Sequence, residues 1–118
     1  MREILFRGKR IDNGEWVYGD YLRERTDRPD KLNACIVQTH RAWDVDPETV
    51  GQFTGLIDKN GKKIFEGDEL FSESWNPNTM EVRFFEGAFM LYYEGCEPYL
   101  IDICYAETEF EIIGNIHE

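Results

Sequence analysis

Apolar and polar residues exchange places along this chain with a period of two, the spacing of half-buried strands and not of helices. Ile4 and Phe6 alternate with Leu5 and Arg7 ahead of Asp12-Asn13-Gly14. Asn-Gly between alternating stretches predicts a tight hairpin, because both residues tolerate positive φ. The predicted return strand, residues 15–22, places Trp16, Tyr18 and Asp20 on one face and Val17, Gly19 and Tyr21 on the other. Aromatic residues on both faces imply a strand covered on both sides, or one that meets a partner. Residues 23–33 are dense in charge and read as an exposed loop. A short strand is expected over residues 34–39. Trp43 and Val45 then share one side of the chain, and Asp46-Pro47-Glu48 suits a single helical turn, since Pro fits the first helical position.

Glycines punctuate the middle of the chain at positions 51, 55, 61 and 67. Asp58-Lys59-Asn60-Gly61 predicts a tight turn, and Glu66-Gly67-Asp68 predicts a second that launches a strand over residues 69–72. Met80, Val82 and Phe84 alternate with Glu81 and Arg83, a half-buried strand. Residues 88–93 form a compact apolar strand with Phe89, Leu91 and Tyr93 on one face and Met90 and Tyr92 on the other. Residues 99–105 fit either one or two helical turns or a strand. The last segment sets Phe110, Ile112 and Ile116 on one face of a terminal strand. The expectation is a mainly β single domain over residues 1–118. About seven or eight short antiparallel strands would form a small barrel or coiled sheet, with one or two short helical turns.

Composition narrows the class. The chain has 118 residues, within the usual size of one domain. At 42% hydrophobic and 14% aromatic it is too apolar to be disordered. Its charged opening suggests no signal peptide, and its longest apolar run, residues 88–93, is far short of the ~20 residues a membrane helix needs. A cytoplasmic protein without a membrane segment is expected. The net charge of -11 argues against broad nucleic-acid binding. That charge is uneven: residues 1–41 carry nine basic and seven acidic residues, whereas residues 42–118 carry four basic and 17 acidic ones. No Lys or Arg follows Arg83.

Cofactor and metal chemistry find little support. Cys35, Cys96 and Cys104 are odd in number and lack C-x-x-C spacing, and His40 and His117 do not complete a zinc set. Asp58 and Asn60 imitate the start of a Ca²⁺ loop, but Lys62 stands where a third oxygen ligand belongs and Lys63 where the invariant Gly belongs. The glycines match neither dinucleotide nor P-loop spacing. No cofactor is expected.

Three pieces of the chain carry a family likeness: residues 1–7, the central Val50-Gly51-Gln52-Phe53-Thr54-Gly55-Leu56 with Asp58-Lys59-Asn60-Gly61-Lys62 and Ile64-Phe65-Glu66-Gly67-Asp68, and the ending Glu111-Ile112-Ile113-Gly114-Asn115-Ile116. In that order they resemble the YopX family of small phage and prophage proteins. The resemblance implies a β-rich fold in temperate phages and prophages. It supplies no catalytic residues, because the family's biochemical role is unassigned. Its Gly, Asp and aromatic positions look like turn and core positions first.

Three classes of function compete. A non-enzymatic binding or assembly module, with a protein partner or a homo-oligomer, suits the 3 Trp, 6 Tyr and 8 Phe and the two-sided strands. Work on nucleic acid in phage replication or regulation would draw on Trp16, Tyr18 and Arg23, against the net charge. The acidic end also permits a DNA mimic. An enzyme would draw on Glu66, Asp68 and Glu69, although solvated turn chemistry explains that cluster better, so no enzyme is expected. The binding candidates are Trp16, Tyr18, Gln52, Glu66, Asp68 and Tyr92.

Overall fold

The computed structural model describes residues 4–25, 32–75, 78–85, 87–93, 99–100 and 107–117. Among these, the chain is mainly β, with every strand pairing antiparallel. The strands are β1 Phe6–Lys9, β2 Trp16–Arg25, β3 Leu32–Gln38, β4 Arg41–Asp44, β5 Gly51–Ile57, β6 Lys63–Phe65, β7 Asp68–Phe71, β8 Thr79–Phe85, β9 Ala88–Tyr92, β10 Tyr99–Leu100 and β11 Glu111–Asn115. They form two sheets, neither closed into a barrel, so the coiled-sheet form of the expectation holds. Eleven strands replace the expected seven or eight among the described residues. The extra ones are short, and pairing across the sheet defines them more than any long apolar run does.

The chain divides into two compact units, Met1–Gln52 and Phe53–Glu118. In the first, the strand order is β4-β3-β2-β1, with Gly51 and Gln52 at the start of β5 paired to β1. The Asn-Gly hairpin forms as expected. Gly14 takes φ 73, its N–H donates to the Arg10 carbonyl at 3.0 Å, and the Glu15 N–H donates to Asn13 Oδ1 at 2.9 Å. The resulting register pairs Phe6 with Gly19 and Gly8 with Val17. Phe6, Val17 and Tyr21 therefore share a face and pack with Val50 on the buried Ala34, Ile36 and Val45. Burying a side chain such as Ile36 stabilises by roughly 1.5–3 kcal/mol.

Two glycines let the strands come this close. A Cβ on Gly8 would lie 2.9 Å from Val45 Cγ2, and one on Gly19 would lie 2.4 Å from the Val37 carbonyl oxygen. The expected helical turn is the 3-10 turn Pro47–Thr49, capped by Asp46, whose carboxylate accepts from the Glu48 N–H at 3.0 Å. The loop expected over residues 23–33 is strand at both ends. β2 continues to Arg25 opposite Leu32, and residues 26–31 lie outside the described part. Charge does not end a strand there, because the ladder bonds are made by backbone.

In the second unit, the rest of β5 pairs with β6, and five strands have the order β10-β9-β8-β7-β11. The core is Ile64, Leu70, Met80, Val82, Leu91 and Phe110. The ambiguous stretch after residue 98 begins as strand β10, and residues 101–106 lie outside the described part. The terminal strand departs from simple alternation. A register shift between Ile112 and Gly114 leaves Ile113 as an extra residue opposite β7. Ile113 is therefore exposed, Asn115 turns inward, and Ile116 is exposed instead of joining Phe110 and Ile112.

A buried carboxylate ties this unit together. Asp58, 1% exposed, accepts from the N–H groups of Asn60 and Lys62 through Oδ1, both at 2.9 Å. Its Oδ2 accepts from the Ile112 N–H at 3.0 Å, 54 residues away. One side chain thus closes a turn and docks β11.

Urea unfolding tests both features. Asp58→Ala leaves three backbone donors without their acceptor and is expected to cost about 3 kcal/mol, with Asp58→Asn costing less, since one acceptor oxygen remains. Gly19→Ala forces backbone against Cβ and is expected to cost about 1–3 kcal/mol. A change under about 0.5 kcal/mol in either alanine variant contradicts the assignment.

Candidate functional site

The β1–β2 register pairs Arg7 with Tyr18 and Lys9 with Trp16. Alternation places these four residues on the sheet face opposite Phe6, Gly8 and Val17. There the Arg7 guanidinium lies 4.8 Å from the Trp16 ring centre and the Lys9 ammonium 5.9 Å from it. An indole face attracts cations through its quadrupole, so Trp16 orders both. Tyr18 and Leu22 continue the same face and are 42% and 45% exposed. Cys35 stands opposite Leu22, and its thiol donates to Asp44 Oδ1 at 3.3 Å. Asp20, also exposed, lies between Tyr18 and Leu22 on this face, and at one end of it Lys9 is half-buried and Arg7 is buried.

A cleft of about 450 Å³ opens where the hairpin tip meets β4. Arg10, Ile11 and Asp12 form one wall and Arg41, Ala42, Trp43 and Asp44 the other. Backbone bonds fix the walls: Ile11 N–H to the Asp44 carbonyl at 3.1 Å, and Asp46 N–H to the Lys9 carbonyl at 2.9 Å. Arg10 grips Asp12 with two charge-assisted bonds, Nε to Oδ1 at 2.9 Å and Nη2 to Oδ2 at 2.6 Å. That hydrogen bonding, aided by the nearby positive charge, lowers the Asp12 pKa below its ordinary value. Arg41 lies over Trp43, 5.3 Å from the ring centre.

The structure brings two of the sequence candidates, Trp16 and Tyr18, onto one face. Arg23 faces Ala34, on the core side of β2, so it does not join them. Gln52 pairs with Phe6 and likewise falls on the core-side register. Asp68 is 1% exposed, and its Oδ2 accepts from the Phe65 N–H at 2.8 Å, a turn-closing role. Glu66 is half-buried in that turn, next to Gly67 at φ 94. Glu69 stands opposite Glu81. Tyr92 lies under Arg83, whose guanidinium sits 3.8 Å from the ring centre and bonds Glu81 at 2.6 Å. That bond raises the Arg83 pKa. Among the described residues, no cluster of His, Cys, Asp and Glu could hold a metal ion. Cys96 and Cys104 lie outside them.

Sequence reasoning missed Arg10, Arg41 and Trp43 as a group. The available signal was Arg41-Ala42-Trp43, a cation two residues before an aromatic, which places both on one side of a strand.

The family model for the YopX protein matches residues 5–118. The chain belongs to the YopX family. The match extends well beyond the three pieces first noticed, across both units. A crystal structure of protein EF1440 from Enterococcus faecalis aligns with a TM-score of 0.60 at 21% identity, covering 100% of this chain and 96% of that one. That likeness establishes a shared fold. No curated protein matches the chain. Within this YopX chain the signature residues Asp58 and Asp68 are buried and bonded to backbone, so here the signature marks turn geometry.

The Arg10–Asp12 pair gives a pH test. A carboxylate with a lowered pKa contributes stability above its unfolded value and loses it as pH falls through the folded value. In a carboxyl NMR titration Asp12 is expected to have its midpoint below 3.8, and Arg10→Gln is expected to raise it toward that value. An unchanged midpoint in the variant contradicts the pairing.

Proposed function

We propose that this YopX-family chain is a non-enzymatic assembly module of a phage or prophage, at work in the cytoplasm of the bacterial host. Its docking surface is the face of the first sheet that carries Trp16, Tyr18 and Leu22, and its occupant is a second copy of the chain. The observation that supports this reading is the exposure of Tyr18 and Leu22 on the same face of a paired strand, flanking Asp20 and opposite the face that packs the core. Aromatic groups with aliphatic neighbours are what interface centres use.

Charge favours a second copy as the occupant. Residues 1–52 hold nine basic and ten acidic residues, whereas residues 53–118 hold four basic and 14 acidic ones. A contact that sets the first unit of one copy against the second unit of another places the half-buried Lys9 near excess negative charge. Contact between two second units would instead oppose like charges. Such a head-to-tail contact generates a ring or a filament.

A second reading rests on Trp16 with Arg7 and Lys9, an arrangement on which a nucleic-acid base can stack. The net charge of -11 opposes it. Tryptophan fluorescence that stays constant while single-stranded oligonucleotides are added at low salt removes this reading.

Light scattering tests assembly. The mass is expected to exceed the 14.0 kDa of one chain as concentration rises and to fall back as salt is added. Tyr18→Ser combined with Leu22→Ser is expected to hold the mass at one chain while circular dichroism stays native. A wild-type mass of one chain at every concentration overturns the proposal.

A further inference from the structure

The face that carries Tyr18 and Leu22 has a local charge of its own. Cross-strand pairing sets Asp20, Val37 and Ala42 in one row and Leu22, Cys35 and Asp44 in the next. Asp20, Ala42 and Asp44 are exposed, as Tyr18 and Leu22 are, while Val37 and Cys35 are half-buried. The open part of the face is therefore an apolar patch that carries two exposed carboxylates. Asp44 accepts from the Cys35 thiol at 3.3 Å, and neither Asp44 nor Asp20 makes an ion pair among the described residues.

The second unit carries the matching charge in one place. Residues 53–118 hold four Lys and Arg residues, namely Lys59, Lys62, Lys63 and Arg83. Arg83 is bonded to Glu81 at 2.6 Å. The three lysines stand within five residues, in the turn between β5 and β6 and at the start of β6, and all three are exposed. The turn is held from within. The Gly61 N–H donates to the Asp58 carbonyl at 3.0 Å, the Asp58 N–H to the Lys62 carbonyl at 2.8 Å, and the Lys59 N–H to the Phe110 carbonyl at 2.9 Å. The Asp58 carboxylate takes the N–H groups of Asn60 and Lys62. None of these bonds uses a lysine side chain. The Lys63 ammonium lies 5.6 Å from the Phe53 ring centre. Lys59 and Lys62 make no ion pair among the described residues. A turn already fixed in shape has little backbone freedom to lose on docking.

We propose that the β5–β6 turn of one copy docks on the Tyr18 face of the next, with Lys59 and Lys62 meeting Asp20 and Asp44. The lysine stems are apolar and would lie on Tyr18 and Leu22 while their ammonium groups reach the carboxylates. This inference rests on the assembly reading and names the part of the second unit that fills the face. Elsewhere the acids of the second unit would repel Asp20 and Asp44, so the lysine tip is where it can approach them. Exposed ion pairs add little affinity one by one. The apolar contact supplies the affinity, and the charges select the turn.

Two charge-reversed chains test the pairing by light scattering at low salt. One carries Asp20→Lys and Asp44→Lys, which make the face positive. The other carries Lys59→Glu and Lys62→Glu, which make the tip negative. Each chain is first required to show native circular dichroism, and Asp20→Lys alone replaces the double face variant if that variant does not. For each chain alone, the concentration at which the mass departs from one chain is expected to rise about tenfold or more. An equimolar mixture is expected to regain the mass of the wild type, because the unaltered tip of one chain meets the unaltered face of the other and the two reversed surfaces also match. Wild-type assembly that Tyr18→Ser with Leu22→Ser abolishes, but that reversal of the tip leaves unchanged, overturns this inference and leaves the assembly reading standing. A mixture that does not recover also overturns the pairing. A wild-type mass of one chain at every concentration overturns both.

Discussion

The register of the β1–β2 hairpin is the constraint on which the first unit depends. It is set locally, by Gly14 at φ 73, the Arg10 N–H donating to the Glu15 carbonyl at 2.8 Å, and the Asn13 side chain accepting from Glu15. A slip of one residue would exchange the faces of a strand. Arg7 and Lys9 would then point into the cluster of Ala34, Ile36 and Val45, and Phe6 would point away from it. Arg7 is already only 6% exposed, but it lies on the Trp16 ring, and moving it and Lys9 from that face into an aliphatic cluster costs far more than the slip could recover. The same register fixes everything called a site here. It places Trp16 beside Lys9, sets Tyr18 and Leu22 on the open face, and brings Arg10 and Ile11 alongside β4.

The second unit answers the same problem with buried carboxylates. Asp58 accepts the N–H groups of Asn60, Lys62 and Ile112, and Asp68 accepts that of Phe65, donors that would otherwise lack this partner. Such hydrogen bonds offset part of the cost of taking a polar side chain out of water. Such a carboxylate is committed. An Asp68 oxygen bonded to the Phe65 N–H, in a side chain 1% exposed, is not in a position to pass a proton to a substrate. The acidic cluster at residues 66–69, the sequence feature most suggestive of catalysis, is therefore explained in large part by the turn it closes.

Much of the fold was legible because the rules that govern it are local. Asn13-Gly14, the Pro47 turn and the Asp58–Gly61 turn each depend on a few neighbouring residues, and each formed where expected. The alternation of Phe89 and Leu91 also emerged as burial. Features that depend on distant partners were not legible. Ile113 is displaced because β11 must pair with β7 and still present the Ile112 N–H to Asp58. Glu24 and Arg25 are strand because Asn33 and Leu32 lie opposite, and their charges say only that they are polar. The need for Gly19 arises from the carbonyl of Val37, 18 positions on.

The candidate site shows the same division. Trp16 and Tyr18 were found because aromatic residues on alternate positions declare a face within one strand. Arg41 and Trp43 were legible as a pair only in hindsight, and Arg10 was not, since its position depends on an isolated bridge between Arg10 and Val45. That bridge also explains why β4 is not simply an open edge. Residues 9–11 occupy the bonding groups of Asp44 and Asp46, so the edge is closed where the hairpin tip crosses it. Beyond the tip, β4 is short and carries the charged Arg41, the usual means of discouraging strand addition. Edge protection asks only for a charge at position 41, because a hydrated cation on the rim opposes the dry pairing that an added strand would need, whichever basic side chain carries it.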